Sequence, residues 1–99
     1  MGEKSREYFA AWLSTHRPNF VVVHTENSTS FFRHPLSITI KRQGKGYLFS
    51  IVTNKGIYET ELEEGFNAFC PDKYTENSIS IMDMKNSIEI VERYQKDEF

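Results

Sequence analysis

Three histidines and one cysteine are the residues from which this 99-residue chain could build a metal or nucleophilic centre. His24-Thr25-Glu26 sets an imidazole two residues from a carboxylate, as ligand and proton carrier stand in a hydrolytic zinc site. The Cys-x-x-Cys pair that would complete such a site is missing, and His16, His24 and His34 are dispersed, so no metal is expected. Cys70, between Phe69 and Pro71, reads as a small buried hydrophobe and not as a nucleophile. Glu59 and Glu61 would share one face of a strand. Acid catalysis would need one of them in an apolar cleft that excludes water, whereas an edge this rich in glutamate is solvated. Gly44-Lys45-Gly46 is too short for a phosphate-binding loop and joins two strands instead of a strand and a helix. The expectation is a protein without catalytic residues or cofactor.

The elements that carry these residues fit one small α+β domain spanning 1–99, a length at which a chain rarely holds two independent cores. Eight Phe, five Tyr and one Trp supply the apolar surface such a core needs, and a disordered chain would be poor in them. A single cysteine allows no internal disulfide, and no apolar run approaches the roughly 18 to 20 residues of a membrane span. Both features favour a soluble, cytoplasmic protein.

From Glu3 to Ser14 the residues Tyr8, Phe9, Trp12 and Leu13 recur on one face of a 3.6-residue period, which predicts an amphipathic helix ended by Pro18. Phe20-Val21-Val22-Val23-His24 is β-branched and predicts a buried strand, with Thr25 to Ser30 following as a loop. Between about 36 and 62 the pattern is an antiparallel β-meander of three strands. Leu36, Ile38 and Ile40 alternate with polar residues up to a turn at Arg42–Gly46. Tyr47 to Val52 resumes the extended run, Asn54-Lys55-Gly56 turns again, and Ile57 to Leu62 returns. Tyr47, Phe49 and Ile51 lie on one face of the middle strand with Leu48 and Val52 on the other, as for a strand covered on both sides. Leu62, Phe66 and Phe69 at i, i+4 and i+7 predict a short helix, and Ser78 to Met82 alternates as a further strand. Met84, Ile88, Val91 and Tyr94 fit a helix capped by Asp83, although Ile88 and Ile90 also alternate around Glu89. The fold class expected is therefore a meander with an N-terminal helix and one or two C-terminal helices packed on the sheet.

Charge divides along the chain. Residues 1–49 carry +4 and residues 50–99 carry −6. The acidic excess is densest at Glu59, Glu61, Glu63 and Glu64. Part of it has a purely structural role: Glu63 and Glu64 would stand in a first helical turn, where carboxylates meet the helix dipole favourably, and charged edge strands resist aggregation. The rest suits docking to a basic partner.

Lys45-Gly46-Tyr47-Leu48-Phe49-Ser50-Ile51-Val52 resembles the RNP1 segment of the RNA-recognition motif family at Lys45, Gly46, Tyr47 and Phe49, and departs from it at Leu48 and Ser50. The resemblance covers eight residues. It implies single-stranded RNA or DNA stacked on Tyr47 and Phe49, with Arg33, Lys41, Arg42 and Lys45 near phosphates. The simpler reading of Tyr47 and Phe49 is core. Elimination and charge together favour a non-enzymatic module that binds and neutralises another protein, in the manner of immunity proteins, antitoxins and phage inhibitors. Its partner would present a basic surface, such as that of a nuclease. Glu59, Glu61, Glu63 and Glu64 would steer association and Tyr58 would anchor it, since interface hot spots favour tyrosine.

Overall fold

The computed structural model describes residues 2–71 and 77–92. Helix α1 (Gly2–Thr15) ends three residues before Pro18 and turns Phe9 and Trp12 into the core, with Leu13 packed at its margin. Every other element among the described residues is a strand: β1 (Phe20–His24), β2 (Thr29–Arg33), β3 (Ser37–Gln43), β4 (Gly46–Thr53), β5 (Gly56–Leu62), β6 (Asn67–Phe69), β7 (Ser78–Met82) and β8 (Ser87–Val91). The architecture is α+β, with one N-terminal helix and antiparallel sheets.

Those strands form two sheets. β3, β4 and β5 make a three-stranded sheet in chain order, while the other five make a second sheet ordered β2-β1-β8-β7-β6. The antiparallel run expected between 36 and 62 is thus only the smaller sheet, and the second is not a meander, because β1 lies between β2 and β8. Alternation aligns the inner faces. Val21, Val23, Ile79, Ile81, Ile88 and Ile90 from the larger sheet join Ile38, Ile40, Tyr47, Phe49, Ile51 and Leu62 from the smaller in one core. Helix α1 lies against β6 and reaches the smaller sheet through Phe9, whose ring stands 6.5 Å from that of Phe49.

The expected C-terminal helices are absent among the described residues. Leu62 closes β5, Glu64-Gly65 turns the chain, and Phe66 buries itself edge-on to Tyr47 before β6 begins. Spacing of i, i+4 was satisfied by two strands and a turn, because both routes bring Leu62 and Phe66 to the same core. In the segment read as helix from Asp83, Ile88 and Ile90 are buried around an outward Glu89, the period-2 alternative, while Met84 is 90% exposed. β-branched Ile88, Ile90 and Val91 favour the extended form. Tyr94 and the rest of that expected helix lie outside the described residues. Thr29 and Ser30, read as loop, open β2, and the outer face of β4 is half-exposed instead of covered.

One contact ties the helix to the smaller sheet by charge. Glu3 accepts from the Arg6 guanidinium at 2.6 Å and from the Tyr47 hydroxyl at 2.9 Å. Those two donors, Arg6 first, hold the Glu3 carboxyl below the ordinary glutamate range. A depressed pKa contributes stability above the unfolded-state value of about 4.3, and that contribution is lost as the pH falls through the lower folded-state value. The acid-induced drop in melting temperature is therefore expected to be smaller in Glu3→Gln than in the wild type. Thermal melts at pH 7 and pH 3 measure it, and equal drops would separate Glu3 from the acid response.

Candidate interaction surfaces

Strand β5 is an edge of the smaller sheet, and its alternation splits the residues expected to bind a partner. Ile57, Glu59 and Glu61 point outward and are exposed. Tyr58, on the opposite face, is half-buried with its ring 5.0 Å from that of Phe32 in β2, so it joins the two sheets and is no anchor beside the glutamates. Glu63 and Glu64 are exposed in the connection to β6 and not in a helix, so no helix dipole accounts for them.

What holds this end of β5 is the β7–β8 connection. Asp83 accepts the backbone N–H groups of Lys85 (2.9 Å) and Asn86 (2.7 Å) at one carboxylate oxygen and that of Glu63 (2.8 Å) at the other. Asn86, itself buried, donates to the Glu61 carbonyl at 2.9 Å. The residue expected to cap a helix instead organises a tight turn and pins the glutamate segment across to the other sheet. The Asp83-Met84-Lys85-Asn86 sequence carried that turn signal.

Basic residues stand among the acidic ones. Arg42 pairs with Glu64 at 3.5 Å and sits over the Tyr47 ring at 5.0 Å, and an open depression of about 590 Å³ brings Lys45 and Lys85 beside Glu61, Glu63, Glu64 and Asp83. Lys41 shares a cross-strand row with Leu48 and Glu61. Sequence polarity is thus partly cancelled in space. Glu59, Glu61 and Glu63 nevertheless make no ion pair among the described residues.

The aromatic face implied by the RNP1 resemblance does not exist as a surface. Tyr47 and Phe49 are 1% and 0% exposed and face the core, so neither can stack on a base. The four basic residues expected near phosphates are also divided between sheets, with Arg33 on β2 and Lys41, Arg42 and Lys45 on β3 and its turn. His16 stacks on Trp12, and His24 has Thr29 Oγ1 3.0 Å from its Nδ1. Cys70 is half-buried and receives the Tyr8 hydroxyl at 3.0 Å. No group of three or more metal-ligating side chains occurs among the described residues, and no helix there is long and apolar enough to cross a membrane.

A second surface escaped the sequence pattern. At the other end of β5, Phe31, Leu36 and Ile57 are 64%, 68% and 68% exposed around a cleft of about 830 Å³. Phe31-Phe32 between polar residues carries strand propensity, but its nearness to Leu36 and Ile57 is set only by the docking of the two sheets. No family model, curated protein or solved structure matches the chain.

Proposed function

We propose that this protein is a non-enzymatic binding module that neutralises a partner protein, and that the glutamates of the β5 edge steer the encounter. The observation that supports the reading most directly is the row Glu59, Glu61 and Glu63. These carboxylates are exposed, free of ion pairs among the described residues, and presented on a strand end fixed by Asp83 and Asn86. Exposed carboxylates that make no direct ion pair attract a basic surface and accelerate association more than they deepen affinity. The immunity, antitoxin and phage-inhibitor reading follows as the class of protein that acts by covering a basic active site.

The test is kinetic. Tagged protein is passed through lysate of its own host with and without nuclease, and the protein eluted by salt is identified. Association of that partner is then measured with the wild type and with the fourfold variant Glu59→Lys, Glu61→Lys, Glu63→Lys, Glu64→Lys. Association at low salt is expected to slow at least about tenfold, with a smaller change in dissociation. Folding should survive, because exposed ion pairs such as Arg42–Glu64 contribute about 1 kcal/mol at most. An unchanged association rate in a folded variant removes the glutamates from the encounter, and retention that depends on nucleic acid replaces the reading.

A further inference from the structure

We propose that the cleft between β2 and the β4–β5 hairpin receives an extended acidic and apolar segment of a partner protein, which adds as a sixth strand to the free edge of β2. The inference goes beyond the glutamate edge, at a surface of opposite charge, and the two stand or fall separately.

β2 is the last strand of the larger sheet, and no described strand pairs with its outer side. Its hydrogen-bond phase follows from the bonds that bracket the hairpin. Thr25 N–H donates to the Ser28 carbonyl and His34 N–H to the Asn19 carbonyl, both at 2.9 Å. Antiparallel alternation between those pairs turns Ser30 and Phe32 toward β1 and leaves the backbone groups of Phe31 and Arg33 directed to the open edge. An exposed row of donors and acceptors is what an added strand requires.

Beneath that edge the walls of the cleft select the occupant. Phe32, Leu36, Ile57 and Tyr58 line it with apolar surface. Arg33 and Lys55 bring positive charge, and no aspartate or glutamate among the described residues lines it, in a chain whose net charge is −2. Arg33 makes no ion pair among the described residues and lies 5.9 Å from the Phe20 ring, on the outward face of the sheet that also carries Phe31. Apolar side chains on the inward face of an added strand would fill the cleft. Acidic ones on its outward face would stand beside Arg33, since neighbours in register share a face.

The probe is a fluorescein-labelled heptapeptide of alternating valine and glutamate. Its controls are the same peptide with lysine for glutamate, and the first peptide with alternate amides N-methylated to remove strand pairing. Fluorescence anisotropy is expected to show the acidic peptide binding at least about tenfold more tightly than either control. Arg33→Glu with Lys55→Glu should weaken it by a similar factor, as should Leu36→Asp, while the fourfold glutamate variant should bind it as the wild type does. All of these substitutions are at exposed positions, and circular dichroism verifies the fold. Binding of the acidic peptide weaker than about 1 mM overturns the proposal. Equal binding of the lysine or N-methylated peptide also overturns it. So does sedimentation showing self-association that Leu36→Asp abolishes, which would assign the cleft to a second copy of the chain.

Discussion

Phe49→Ala is expected to lower the melting temperature by more than about 10 °C. A phenylalanine removed from a close-packed core costs about 3–5 kcal/mol, against about 5–15 kcal/mol for a whole domain, and each kilocalorie moves the midpoint of a domain this size by roughly 4–8 °C. Phe49 lies at the centre of the core from every direction. It is paired between Ile40 on β3 and Thr60 on β5, faces the Phe9 ring of α1, and has no exposed surface. The cavity would open between helix and sheet, where the backbone of β4 is held on both sides and cannot collapse inward. Thermal denaturation followed by far-ultraviolet circular dichroism reads the effect. The same experiment decides the stacking reading of the RNP1-like segment, because a variant that melts normally yet loses nucleic-acid binding would return Phe49 to a surface.

Gly46→Ala is expected to cost about 1–3 kcal/mol, the range for forcing extra volume into fixed structure. A Cβ at this position would run into the backbone carbonyl oxygen of Leu62, and backbone cannot rotate away as a side-chain tip can. Both sides of the collision are tied: Gly46 pairs with Gln43 across the β3–β4 turn, and Leu62 pairs with Tyr47 at the end of β5 just where Asn86 holds Glu61. Gly44 provides the contrast within the same turn. Its φ of 59° favours glycine, but a Cβ there meets nothing within 4 Å, so Gly44→Ala should cost only the strain of the left-handed region, about 1–2 kcal/mol. Urea titration of the two variants compares them. Gly46→Ala should also broaden the signals of Glu61 and Asn86 in an amide spectrum, while Gly44→Ala should not. Equal free energies together with unperturbed Glu61 and Asn86 would show that the close approach carries no weight.

Local pattern made the separate elements legible, and the partition between them stayed hidden. Strands at Phe20–His24 and Ser78–Met82 have the limits that β-branching and alternation mark in the sequence, and α1 follows its apolar stripe. The errors fell where two periods agree. Leu62 and Phe66 are four apart, which places them on one helical face but also at the two ends of a turn that returns to the same core. Nothing local shows that Val21 belongs to one sheet and Ile38 to another, since each simply reads as an inward apolar residue. Alternation along Ile57-Tyr58-Glu59 placed the glutamates in water, and the same rule, applied to Tyr58, puts that ring on the opposite face. The cleft beside β2 could not be read at all, because Phe31, Leu36 and Ile57 converge only after the hairpins have docked.

The pairing of β1 with β8 sets an order in time as well as in space. Phe20 lies opposite Val91, so β1 waits for a strand made only after every other described strand. β3, β4 and β5 can zip through two short turns as soon as they emerge, since each meets its neighbour in the chain. The larger sheet can form only two separate pairs, β1 with β2 and β6 with β7, until Ser87–Val91 arrives to occupy the gap between them. A nascent chain lacking that last insertion carries two apolar strand edges in search of a mate, the condition under which unfinished proteins bind chaperones or one another. The keystone of these sheets is thus the last of the described strands to be made.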